Sequence, residues 1–163
     1  MTGDWQPLDP AYIRAERLAG WIAFAMVMPI CGIIAGLAFA MTGIPRWVDI
    51  SLAALAVLIA PLLVWSATAW PALAYRHAAY RLDEAGIEIR SGVLIRRVTT
   101  VPKSRVQHTD VSQGPIERRF GLGTLVIYTA GTEYARVTLP GLQHGGAMHI
   151  RDALLPRTTD DAV

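Results

Sequence analysis

Apolar and polar positions divide this chain into two unlike parts. No charged residue occurs between Arg17 and Arg46, and none between Asp49 and Arg76. Each gap exceeds the roughly 20 residues that a helix needs to cross the hydrocarbon of a bilayer. The pattern therefore predicts two membrane spans, about 18–42 and 50–73, forming a hairpin within residues 18–75. The alternative is a buried helix pair in a soluble protein, but two uncharged stretches of this length would leave so short a chain little surface to solvate. Trp21, Trp47, Trp70 and Tyr75 fall near the predicted span ends, where amphipathic rings prefer to sit, while Trp65 lies deeper as a packing residue.

From Arg76 the continuous apolar pattern gives way to alternation. Tyr80-Arg81-Leu82 and Ile87-Glu88-Ile89-Arg90 flank Asp83-Glu84-Ala85-Gly86, the signature of a hairpin. Ser91-Gly92 reads as a tight turn into a strand at Val93-Leu94-Ile95, and the slip of apolar phase around Arg96-Arg97 as a bulge. Strand signal continues over 98–101, breaks at Pro102 and resumes over 105–111. Leu125 to Thr129 reads as a central strand buried on both faces, and Ala135 to Leu139 as an alternating one. Ala147, Ile150, Ala153 and Leu154 fall at helical spacing before Pro156. The expected fold is α+β: a leader over 1–17, the hairpin, a soluble domain over 76–156, and a disordered polar tail over 157–163.

Charge sets the orientation. Arg14 and Arg17 precede the first span and Arg76 and Arg81 follow the second, whereas the short connecting loop holds only Arg46. The positive-inside bias places both termini and the soluble domain in the cytoplasm, on a multi-pass protein of the inner membrane. A cleaved signal peptide is the competing reading, since Ala38-Phe39-Ala40 has the small-residue cleavage pattern. Against it stand an apolar segment longer than a signal core and the acids Asp4, Asp9 and Glu16 before it.

Candidate chemistry is sparse. Neither span holds an Asp, Glu, Lys, Arg or His, which disfavours an ion pathway or proton relay. Gly32-x-x-x-Gly36 is a small-residue face for helix packing, within the hairpin or between two copies in a homo-oligomer. The lone cysteine, Cys31, excludes an intramolecular disulfide. No two of His77, His108, His144 and His149 have the i, i+4 spacing of metal ligands on a helix, and Ser104, His108 and Asp110 lack a nucleophile elbow. No catalytic, cofactor or metal site is expected. Twelve Lys/Arg against nine Asp/Glu from Arg76 onward make the soluble part mildly basic, too little for a nucleic-acid binder but suited to an anionic membrane surface. Arg96, Arg97, Lys103 and Arg105 flank one turn as a basic patch, and Arg118 with Arg119 form a second pair. These six are the candidate contacts to a protein partner or to lipid headgroups, unless Glu117 and Arg118 pair locally to fix their turn.

The run Val101-Pro102-Lys103-Ser104-Arg105-Val106-Gln107-His108-Thr109-Asp110 and its continuation Gly114-Pro115-Ile116-Glu117-Arg118-Arg119-Phe120-Gly121-Leu122-Gly123 resemble the bacterial pleckstrin-homology-like membrane proteins of the YdbS-like group. Gly92-Val93-Leu94-Ile95-Arg96, Tyr128-Thr129-Ala130-Gly131 and Leu139-Pro140-Gly141-Leu142 add to the resemblance. Lys103 and His108 depart from the residues usual there. The resemblance implies a strongly bent antiparallel sheet, a partly open barrel capped by the terminal helix and held to the membrane by the hairpin. It carries no chemical activity with it. The function expected is a non-enzymatic membrane-anchored interaction or scaffold module, with a membrane or cytoplasmic protein partner such as a related family member. The alternative is an accessory protein that binds or handles anionic lipid. A phosphatase reporter fused after Val163 is expected to be inactive and a cytoplasmic reporter active there; phosphatase activity at that fusion would reverse the orientation.

Overall fold

A computed structural model describes residues 4–40, 46–130 and 136–154. The connection expected over 41–45, Gly131, Ala135 and the tail expected over 157–163 lie outside the described residues. The chain divides into two units, Glu16–Ala72 and the combination of Met1–Ala15 with Leu73–Val163.

The first unit is helical. Helix α1 spans Ala11–Ala40 and α2 spans Arg46–Thr68, followed after Ala69 by the short α3, Trp70–Arg76. At 1.5 Å per residue, the 30 residues of α1 extend about 45 Å, more than the hydrocarbon thickness. It starts earlier than the apolar pattern predicts because Asp9 caps it: the carboxylate accepts the Ala11 N–H at 2.7 Å, and Pro10 immediately precedes the first helical residue. Most of the described span side chains are exposed, including Ile33, Leu37, Val57 and Leu62. Water would not tolerate that surface, and lipid requires it. Pro29 and Pro61 lie inside α1 and α2. The helices come close at Gly20, where an added Cβ would lie 2.7 Å from Ala67. Beside that contact, Arg17 Nε donates to the Thr68 carbonyl at 3.1 Å, satisfying an orphan acceptor at the end of α2.

Gly32 and Gly36 are exposed, with open space where a Cβ would stand. The structure thus brings the spans together at Gly20 and Ala67 instead, one helical end away from the small-residue face picked out in the sequence.

The second unit is two antiparallel sheets. The four-stranded sheet runs in the order β1 (Gln6–Pro7), β2 (Ala79–Leu82), β3 (Gly86–Ser91) and β4 (Arg97–Pro102). A single 3-10 turn, Lys103–Arg105, leads to the three-stranded sheet of β5 (Val106–Ser112), β6 (Leu122–Thr129) and β7 (Arg136–Gln143). A one-turn helix α4, Pro115–Arg119, joins β5 to β6, and α5, His144–Leu154, follows β7. The sheets do not close into a barrel. Register shifts fall at Val106/His108 and at Gly123/Leu125.

Alternation builds the core. Ile87, Ile89 and Val101 from the first sheet meet Val106, Leu125, Ile127, Val137 and Leu139 from the second, and Ala147, Ile150 and Leu154 of α5 cover them. The central position of β6 explains why Leu125, Val126 and Ile127 are all buried.

Two sequence expectations meet different outcomes. Val93, Leu94 and Ile95 are a bend rather than a strand, so the phase slip at Arg96-Arg97 marks the end of a five-residue loop and not a bulge. Gly92 directs it: its φ of +108° is open to glycine, and an added Cβ would lie 1.9 Å from the Ile95 carbonyl oxygen.

The segment read as a leader is the larger difference. Gln6 and Pro7 pair with Tyr80 and Ala79, and the Tyr80 hydroxyl donates to Gln6 Oε1 at 2.9 Å. Burial pushes the Tyr80 phenol up from its ordinary value, so it remains a donor. Leu8 is buried in the main core. Asp9 N–H donates to the Gly141 carbonyl at 2.9 Å, and Tyr12 packs where a Cβ on Gly141, at φ +73°, would lie 2.7 Å from its ring. Ala11 and Ala15 join Leu122, Ile116 and Phe120 in a second cluster. Leu8→Ala is expected to destabilise this unit by about 2–5 kcal/mol, read as a lower thermal midpoint of the detergent-solubilised full chain. An unchanged midpoint would place residues 4–8 outside the cooperative fold.

Candidate interaction surface

The two sheets part between β4 and β5. β4 is the last strand of its sheet, and among the described residues no strand pairs with its outer edge. A cleft of about 140 Å³ follows this edge, lined by Val98 to Pro102, Arg105, Thr129 and Ala130. Its floor is fixed by the backbone: Ala130 N–H donates to the Arg105 carbonyl at 3.0 Å, and Lys103 N–H to the Ala85 carbonyl at 2.9 Å. The cleft offers a row of backbone groups, three threonines and one guanidinium.

The four cations expected around one turn are split. Arg96 and Arg97 lie at the start of β4 and Lys103 and Arg105 beyond its end, so a strand of six residues, roughly 20 Å, separates the pairs. Arg96, Arg97 and Arg105 are exposed and Lys103 is half-buried.

Arg118 and Arg119 stand together on α4, exposed and without an ion pair among the described residues. The local pairing weighed for Glu117 is taken over by other groups. Its carboxylate accepts the Gly114 N–H at 2.7 Å and the Thr124 hydroxyl at 2.6 Å, and these bonds fix the turn. Both arginines are thereby left free of that task.

Other basic residues are committed inside the fold. The Arg90 guanidinium lies 3.9 Å and that of Arg81 5.0 Å from the Trp5 ring centroid, and Arg81 also pairs with the nearly buried Glu88. Arg14 lies over Phe120 at 5.8 Å. The sequence signal for the stack was a tryptophan in a polar segment ahead of a span, which on its own reads equally well as an interfacial anchor. Among the histidines, His108 stacks beside Tyr128 at 5.9 Å, and no hydrogen bond joins it to Ser104 or Asp110. Among the described residues no three His, Cys, Asp or Glu come together as a metal site.

Comparison with known proteins agrees with this architecture. The family described as Bacterial PH domain matches residues 17–158, which takes in the helical pair as well as the strands. The transmembrane protein YdbS of Bacillus subtilis (strain 168) is 37% identical over 95 residues, covering 57% of this chain and 58% of that relative. The chain thus spans little more than half the length of the curated relative it matches. No solved structure matches it. With its pair of long apolar helices, its two open antiparallel sheets and its terminal helix, the chain belongs to the bacterial PH domain family as a YdbS-like membrane protein.

Proposed function

We propose that this membrane-associated PH-domain protein is a non-enzymatic scaffold, which presents its sheet-rich unit at the cytoplasmic face of the inner membrane and docks a protein partner there. The observation that carries this reading is the unpaired edge of β4 along the cleft. An extended segment of another protein would gain backbone hydrogen bonds from β4 and a carboxylate contact at Arg105. The partner is a membrane or cytoplasmic protein, a related family member or a second copy included.

Two arguments support the orientation. Residues 4–15 and 73–154 build one folded unit, so both flanks of the helical pair share one side of the membrane. The arginines Arg14, Arg17, Arg76 and Arg81 on those flanks, against Arg46 in the connection, favour the cytoplasm.

A second reading, contact with anionic lipid headgroups, is favoured at one place, the exposed and unpaired Arg118 and Arg119. Each such contact is worth about 1 kcal/mol near an anionic leaflet and is screened by salt within roughly a Debye length.

The test pairs two measurements in native membranes. A photo-crosslinking residue at Thr100 is expected to give a discrete protein adduct, and its absence would remove the docking reading. Arg118→Glu with Arg119→Glu is expected to leave the chain in the membrane while changing its lipid contacts or partner crosslinks. Unchanged contacts in that folded variant would leave the pair a structural role alone.

A further inference from the structure

Within the sheet-rich unit, large apolar side chains are exposed at one place only among the described residues. Leu94 is 87% and Ile95 80% exposed, with Val98 at 51% beside them at the start of β4. Every other large exposed hydrophobic side chain belongs to the helical unit. The loop that carries them is held in shape. Gly92, at φ +108°, lets the chain fold back until the Ile95 carbonyl would be only 1.9 Å from a Cβ at that glycine, which leaves Leu94 and Ile95 at the apex of the bend.

Charge around the apex has one sign. Between Glu88 and Asp110 the chain holds Arg90, Arg96, Arg97, Lys103 and Arg105 and no acid. Arg90 is stacked on Trp5, but Arg96 and Arg97 are exposed and form no ion pair among the described residues. Two aliphatic side chains on a convex tip, followed at once by two guanidinium groups, match the layering of a bilayer surface: acyl chains inside, phosphates outside. The loop over 92–98 carries no aromatic anchor of the kind that dominates protein interfaces.

We propose that the β3–β4 loop is a membrane-insertion tip, in which Leu94 and Ile95 enter the acyl-headgroup boundary of an anionic bilayer and Arg96 and Arg97 bind lipid phosphates. Two aliphatic residues would hold a free domain only fleetingly. This chain is already anchored, so the tip meets lipid at high effective concentration and modest affinity suffices. The site is separate from partner docking along β4 and from headgroup contact at Arg118 and Arg119; loss of either leaves the result below unchanged.

The test uses the full chain with Cys31→Ser, reconstituted in vesicles of phosphatidylcholine and phosphatidylglycerol that carry a spin-labelled quencher lipid. An environment-sensitive fluorophore is attached at Ile95→Cys or, as a control in the exposed β2–β3 turn and outside the cleft, at Glu84→Cys. The expected result is blue-shifted emission at position 95 and quenching by lipid several-fold stronger than at position 84. That difference should shrink in pure phosphatidylcholine and in the Arg96→Glu, Arg97→Glu variant. Equal and water-like emission at both positions would overturn the proposal. So would a shielded but unquenched label at position 95, which would mean that protein, such as a second copy, covers the tip. Quenching that is equally strong in pure phosphatidylcholine would overturn the role given to Arg96 and Arg97.

Discussion

Leu8 is buried in a core whose other fully buried members all come from Ile87 and beyond, and between the two lies the whole helical pair. The rest of the architecture depends on that closure. A sheet whose edge strand is supplied by Gln6 and Pro7 forms only if the chain, after α1 and α2, returns to where it started. A flexible connection of this length would carry a sizeable closure entropy, growing with the logarithm of the number of residues. Two consecutive helices packed side by side reduce it, because such a pair brings its own outer ends together. The Gly20–Ala67 approach and the Arg17–Thr68 hydrogen bond lie at that open end of the hairpin and hold it narrow. The N-terminal strap precedes residue 17, where the family match begins, so this chain closes its domain with residues the family pattern does not cover.

What could be read from the sequence divides along the same line. The spans, the β2–β3 hairpin, the doubly buried β6 and the helix α5 each carry a periodic signal several residues long, and each was legible with no tertiary knowledge. The leader expected over 1–17 shows the opposite case. β1 is two residues long, includes a proline and has no alternation, since its position is set by Tyr80 and the core rather than by its own propensity. Asp9-Pro10 was a usable signal, a capping residue followed by the residue favoured at the first helical position, and it marks the true start of α1 ahead of the apolar run. At Val93 to Ile95 the apolar composition outweighed the backbone message of Gly92. A continuous run of aliphatic residues suits a strand only if both of its faces are covered, and Leu94 and Ile95 are exposed.

Counting cations gave a similarly incomplete view of the candidate surface. Net charge treats all basic residues as equal, whereas the fold uses several of them internally. Arg81 and Arg90 are spent on Trp5 and Glu88, Arg14 faces Phe120, and Arg151 pairs with Asp152 at 2.7 Å. Those at Arg96, Arg97, Arg105, Arg118 and Arg119 remain at the surface. Glu117 decides the last pair: by bonding Gly114 and Thr124 it holds α4 without recruiting Arg118. Spacing alone could not separate these roles, because Glu117 next to Arg118 looks the same whether the acid faces the cation or the backbone.

The open seam between the sheets sets the last constraint. An unpaired strand edge invites indefinite strand addition, which folded proteins suppress with charge, proline or brevity. β4 carries all three: Arg97 at its first residue, Pro102 at its last, and only four residues between. Pro102 has no N–H to offer an incoming strand, and a guanidinium at the other end repels a second basic edge. What stays available is the short stretch Val98 to Val101 beside the cleft. It suffices to pair one short segment and is too short to template a sheet. The same Arg97 lies next to the apolar apex of the β3–β4 loop, so the charge that guards the edge also flanks the lipid-like tip. A barrel closed between β4 and β5 would have neither the edge nor the cleft, so the docking proposed for this domain depends on the seam staying open.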